Sequence, residues 1–319
     1  MDEKRMCRRL RHEINKVGIT MLIYYSIMST VVAAVMLVQM LYLMLSQPDI
    51  SEEALSSAII SNGWGYMLTI AIGVLIMLLW KKREFCFRTI WKTNRPMKFG
   101  AFWAILCVFL SGQLMAQLYG IAMEYMANLL GFSVMESIEI ASGIGDTFSM
   151  FVYGCLFAPV FEEVLFRGLL LRMLEPLGKK FAIFTTAFLF GIFHANVVQT
   201  PFAFLVGLVL GYVAMEYSMA WAMVLHMINN LVLGDTLTRL TSSLPGDIGN
   251  LIFYAIIGAA TLAALVICIC KRREIKTYLT ERKIHPWSMH ALVTSPAIII
   301  FFAMMLGNMA LTMVMQFFS

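Results

Sequence analysis

Nine apolar stretches, most of them long enough to cross a bilayer, leave this chain few ways to fold. They run near Gly18–Leu45, Gly63–Trp80, Phe99–Tyr119, Thr147–Leu174, Phe181–Val198, Pro201–Met215, Met219–Leu233, Leu251–Cys270 and Ala291–Phe318. Crossing the hydrocarbon core takes about 20 residues of helix, and backbone groups in lipid must find their partners within the segment. Composition points the same way: 60% of the 319 residues are hydrophobic and 13% charged, against about 25% charged in soluble domains. The expected fold is therefore all-α, a polytopic transmembrane helical bundle of about 8–9 spans. The stretches at 201–215 and 219–233 are short enough to be half-buried instead.

Charge orders these stretches. The first sixteen residues hold Lys4, Arg5, Arg8, Arg9, Arg11 and Lys16; further basic clusters fall at Lys81–Lys98, Lys179–Lys180 and Lys271-Arg272-Arg273. Acidic residues collect in the alternate connections: Asp49, Glu52 and Glu53, then Glu124, Glu136, Glu139 and Asp146, then Asp235 and Asp247 beside Arg239. Alternating through nine spans keeps every large basic cluster on one side, which the positive-inside rule makes the cytoplasm, with the N-terminus there too. The first apolar run is span-length, so no cleaved signal peptide is expected. A net charge of +5, dispersed over loops, does not suggest nucleic-acid binding. The six cysteines show no CxxC pair and read as free thiols; Cys268 and Cys270 point to different sides of a helix.

Against this apolar background, Glu162, Glu163 and Arg167 lie inside a span, and His194, His226 and Asn230 lie inside two others. Each buried charge costs roughly 2.5–3.5 kcal/mol at mid-membrane, so partners or a function are expected. Glu163 and Arg167 are four apart, share a helix face and can pair. Glu162 is turned by about 100° from Glu163 and need not share that partner, which leaves one carboxylate for proton chemistry beside an imidazole. Pro159 can kink the helix just before the pair. His226 and Asn230, also four apart, put an imidazole and a carboxamide on one face, where both can donate to a developing oxyanion. Bland readings stand beside these: a structural ion-pair cluster at 162–167, a core histidine at His194, and interhelical hydrogen-bond glue at His226 and Asn230. His12, His285 and His290 read as solvated. Counting from the start of its span puts the Glu pair in the cytoplasmic half of the bilayer, whereas His194 falls at the far end of its own span. A tilted or broken helix is then needed to bring the two level.

Taken in order, Glu162-Glu163-x-x-x-Arg167, Phe190-x-x-x-His194 and His226-x-x-x-Asn230 resemble the three motifs of the CAAX prenyl endopeptidase and bacteriocin-processing (Abi, or CPBP) intramembrane proteases. The resemblance covers about residues 147–233. It implies a glutamate-dependent peptidase in which Glu162 and His194 activate a water, His226 and Asn230 hold the oxyanion, and Glu163 and Arg167 support the site. It implies no metal cofactor. A zinc enzyme using Glu162, His194 and His226 as ligands is the runner-up, since two histidines and a carboxylate form a reasonable ligand set.

This gives a basic cytoplasmic tail over 1–17, N-terminal transmembrane helices over 18–146, a catalytic helical core over 147–235 and C-terminal transmembrane helices over 236–319. Expected partners are the lipid bilayer and a peptide or lipidated protein substrate, with no nucleic acid; the oligomeric state is open. The expected location is a plasma membrane, of bacterial type given the short loops and lack of an Asn-x-Ser/Thr acceptor. Two other classes stay open: a non-catalytic immunity or scaffold protein binding a peptide in the same cavity, and a transporter whose buried charges line an ion path. Against the latter, the two halves show no discontinuous-helix symmetry.

Overall fold

The structure, a computed structural model, describes residues 3–142, 147–231, 240–241, 243–281 and 283–318. Asp146, Asp235 and Arg239 lie outside the described residues. Among the described residues all regular structure is helical: α1 (Glu3–Ser46), α2 (Glu52–Ile60), α3 (Gly63–Leu79), α4 (Phe99–Leu129), α5 (Met135–Ser142), α6 (Phe148–Leu177), α7 (Lys179–Phe193), α8 (Gln199–Glu216), α9 (Met219–Ile228), α10 (Ile248–Cys270), α11 (Arg272–Thr280), α12 (Pro286–Val293) and α13 (Pro296–Phe318). The basic tail is no separate element, because its residues form the first turns of α1.

Six of these helices are long and apolar enough to cross a membrane: α1, α4, α6, α8, α10 and α13. A seventh span results if α2 and α3, bent by 46° at Ser61–Asn62, are counted as one. The remaining two of the expected 8–9 spans, α7 with 15 residues and α9 with 10 before its π-helical continuation at 229–231, are not span-length among the described residues. At 1.5 Å per residue α7 covers about 22 Å, short of a core of about 30 Å. Both instead pack inside the bundle: Phe181, Ala182, Ala187, Leu189 and Phe190 of α7 and Ala222 and Leu225 of α9 are almost wholly buried. Leucines and isoleucines of α1, α4, α10 and α13 face outwards instead, as lipid-facing residues must.

α6, α7, α8 and α9 form the centre. Gly178, at φ +125°, turns α6 back into α7, a conformation that glycine adopts without Cβ strain. α7 and α8 approach so closely at Gly207 that a Cβ there would stand 2.9 Å from the Ala187 Cα.

Hydrogen bonds sort the connections into two faces. On one, Asn94 N–H donates to Tyr217 O (2.8 Å), Lys92 lies 3.9 Å from Glu175, Arg95 lies 3.6 Å from Glu216, and Lys180 donates to the Glu281 carbonyl. The loop after α3, the turns after α6 and α8 and the segment after α11 thus meet, bringing the basic clusters at 81–98 and 179–180 together beside Glu281. On the other face Thr147 Oγ1 donates to Ser61 O (2.7 Å) and Asn196 Nδ2 to Ser137 O (3.0 Å), among the acidic connections.

Candidate active site

α6 is not a regular α-helix. Its residues 153–157 and 164–170 are π-helical, and the α-helical turn between them, Ala158–Glu163, carries the glutamates. π-segments of this kind concentrate at functional sites, and Pro159 gives a local cause for the first. Ala158 N–H donates to Tyr153 O, one π-turn back. The next acceptor in that register is Gly154 O, and the residue facing it is proline, which has no N–H. Asn230 Nδ2 supplies the missing donor at 2.9 Å. The expected kink is therefore realised as a π-segment whose free carbonyl ties α6 to the end of α9.

The helix hairpin resolves the depth of His194. Glu162 lies midway along the 30-residue α6 rather than in one half of it, because that helix is longer than a minimal span. Glu162 and His194 are each sixteen residues from the Gly178 turn. In an antiparallel hairpin, residues equidistant from the turn are level, here about 24 Å away from it. The rings confirm the register: Phe166 and Phe190, each twelve residues from Gly178, meet edge to face at 5.0 Å. No tilted or broken helix is required.

The two glutamates have different surroundings. Glu163 is fully buried, and its Oε1 accepts from Arg167 Nη1 at 2.8 Å and from His226 Nδ1 at 2.9 Å. Arg167, also fully buried, donates through Nη2 to Gly207 O at 3.4 Å, and its guanidinium lies 4.4 Å from the Phe190 ring centroid. In a desolvated setting such a cation–π contact is worth about 2 kcal/mol. Glu162, with 16% of its side chain exposed, makes no hydrogen bond among the described residues; its nearest ionic neighbour is His226 Nε2 at 3.8 Å. His226 thus stands between the carboxylates, one ring nitrogen towards each.

His194 closes α7. Its Nδ1 lies 2.8 Å from Phe190 O, and a carbonyl only accepts, so Nδ1 carries the proton and Nε2 is the basic nitrogen of a neutral ring. The ring packs edge-on to Phe190 at 4.9 Å and lies within electrostatic reach of Glu162, His226 and Arg167. Ala195, just beyond it, has φ +46°, a left-handed residue that ends the helix at the place where glycine is usual.

The structure therefore brings Glu162, Glu163, Arg167, His194 and His226 into one cluster and joins Asn230 to it through α6. It also adds residues that the motifs did not mark. Asn230 Oδ1 accepts from Asn229 Nδ2 (2.9 Å), and Asn229 Oδ1 accepts from Gln113 Nε2 of α4 (3.1 Å). Amides inside apolar helices were the available signal. Tyr24 of α1 and Tyr153 of α6 are close enough to Glu162 to interact with its charge. No pattern in the sequence distinguished them from other span tyrosines.

Among the described residues no three His, Cys, Asp or Glu side chains stand so as to share a metal ion. Of the set Glu162, His194 and His226, the last has Nδ1 engaged by Glu163 and Nε2 turned to Glu162 at 3.8 Å. His12, His285 and His290 are exposed, as expected, and the cysteines form no disulfide among the described residues. Two cavities, of about 790 Å³ and about 690 Å³, lie at opposite faces of the bundle; neither is lined by Glu162, His194 or His226.

Residues 144–232, which carry all six motif residues, match the family model of type II CAAX prenyl endopeptidase Rce1-like proteins, over 89 of the 319 residues. No curated protein and no solved structure matches the chain. With its apolar spans, the chain is a multi-pass membrane protein whose central segment is similar to type II CAAX prenyl endopeptidases.

Proposed function

We propose, from that family match, that the chain is an intramembrane endopeptidase hydrolysing a peptide bond by glutamate-activated water. The observation that carries this reading is the unequal state of the paired glutamates. Glu163 is held by Arg167 and His226, while Glu162 keeps its carboxylate free of hydrogen bonds beside two imidazoles. A carboxylate with no hydrogen bond in the fold is free to accept one from a bound water, whereas one already bonded to a guanidinium is not.

A water bound between Glu162 and His194 Nε2 would donate one hydrogen to each. As its oxygen adds to the peptide carbonyl, Glu162 takes the proton and later gives it to the departing amine, so atoms and charge balance. His226, held through Nδ1 by Glu163, presents Nε2 to the oxyanion. The second N–H of Asn230, not engaged by Gly154, joins it. Arg167 then offsets the charge of Glu163. Glu163, Arg167, Asn229 and Gln113 position these groups without touching substrate.

The substrate class is a membrane-associated or lipidated peptide, consistent with a site midway along α6. On the positive-inside rule the basic face is cytoplasmic, with the N-terminus there, in a plasma membrane of bacterial type.

The test uses purified protein in lipid, wild type beside Glu162→Gln, with prenylated and unprenylated peptides, read by mass spectrometry with and without a chelator. Cleavage by the wild type, lost in the variant and unaffected by chelator, is the expected result. Loss to chelator would move a metal mechanism to the front. Peptide bound but uncut by both proteins would replace the enzyme with an immunity or scaffold protein.

A further inference from the structure

The cavity of about 790 Å³ on the basic face lies apart from the glutamate site, at the Gly178 turn that is sixteen residues away from Glu162 and His194. Its walls come from the ends of α6 and α8, the start of α7, Tyr278 of α11 and the segment before α12. On the membrane placement proposed above, a helix end about 24 Å from mid-span meets the headgroup layer.

Four cationic side chains line it: Arg95, Lys179, Lys180 and Lys283. Three carboxylates line it too, and two of them are satisfied from within the fold. Glu175 lies 3.0 Å from Arg172 and 3.9 Å from Lys92, and Glu216 pairs with Lys179. Glu281 is exposed and makes no ion pair among the described residues. The lining sets four cations against three carboxylates, with Glu216 shared by Lys179 and Arg95 and with Lys92 and Arg172 standing behind Glu175.

Two of the cations are held rigidly. Arg95 stacks 4.5 Å over the Tyr217 ring and donates to the Tyr212 hydroxyl at 3.3 Å. Lys180 lies 5.1 Å over the Tyr278 ring, whose own hydroxyl is shielded from water with no hydrogen-bond partner. α7 starts at the cavity without a side-chain cap, so the first amides and the positive end of its dipole add to the same field.

We propose that this recess binds the phosphate of an anionic lipid headgroup from the adjoining leaflet. The chemistry fits: a cationic hollow between helix ends, beside the tyrosines of an interfacial belt and open to the layer where phosphodiesters are most concentrated. Bound there, the headgroup bridges the loop after α3, the hairpin turn that sets the register of Glu162 with His194, and the segment before α12. The recess is thus a lipid-dependent clamp on the central hairpin.

The test compares wild type with Lys180→Gln/Lys283→Gln in nanodiscs of equal phosphatidylglycerol and phosphatidylcholine, counting retained lipids by native mass spectrometry. The exposed Lys283→Gln alone guards against misfolding. Lys82→Gln/Arg88→Gln removes the same charge from the same face outside the recess. The wild type should retain phosphatidylglycerol over phosphatidylcholine by roughly tenfold. The recess double variant should lose that preference and the control double variant should keep it. Inorganic phosphate should not displace the lipid; displacement at millimolar phosphate would assign the recess to a free phosphate and overturn the lipid source. Equal retention of both lipids by the wild type, or equal loss in the control double variant, would overturn the site.

Discussion

Arg167→Met removes a fully buried guanidinium and leaves its partner in place. Three contacts disappear: the 2.8 Å pair with Glu163, the 3.4 Å bond to Gly207 O and the 4.4 Å stacking on Phe190. The dominant loss is not the attraction itself but the carboxylate left behind, since Glu163 is also fully buried, and stranding one member of a buried pair costs about 3–5 kcal/mol. Methionine fills much of the volume and keeps the cavity contribution small. Glu163→Gln in the same background removes the stranded charge. The double variant should therefore recover at least about 2 kcal/mol of what the single variant loses, within the range seen for side chains in direct contact. The assay is a double-mutant cycle of reversible unfolding in mixed micelles, followed by circular dichroism. Arg167→Lys keeps the charge but not the planar fork that serves Glu163 and Gly207 at once, and should fall between wild type and Arg167→Met. A cost below about 1 kcal/mol for Arg167→Met, or a cycle with no coupling, would refute the claim that Arg167 neutralises Glu163.

Asn230→Ala leaves Gly154 O without a donor and should cost about 1–3 kcal/mol; adding Pro159→Ala restores an amide in the π-register, so the unfolding penalty of Asn230→Ala should shrink in that background. An equal penalty in both backgrounds would remove the link between the proline and the asparagine. Ala195→Gly relieves a left-handed alanine at φ +46° and should change stability by about 1 kcal/mol, in the stabilising direction, with a lower unfolding midpoint counting against strain at that residue. Glu162→Gln, decisive for hydrolysis, should leave the unfolding midpoint within about 0.5 kcal/mol of wild type, because the side chain makes no hydrogen bond in the fold.

The helical membrane fold, the grouping of basic loops on one face and the residues that the central cluster gathers could be read from the chain itself. Span-length apolar runs admit little besides helices, charge sorts the connections, and a carboxylate among leucines stands out because burying it is costly. The i,i+4 geometry was also enough to pair Glu163 with Arg167 and leave Glu162 apart. Three features depended on the packing. The span count did, because α7 and α9 are apolar enough to look like spans, and only their enclosure by neighbours shows that they need not cross alone. The depth of the site did, because counting along one helix gives a distance from its end, whereas the Gly178 hairpin sets Glu162 against His194. The roles of Asn229, Gln113, Tyr24 and Tyr153 did as well. Gln113 and Tyr24 come to the site from helices far apart in the chain, and local periodicity carries no record of which faces meet. A sequence fixes what must be buried and what must be paired; which partner arrives is a property of how the helices pack.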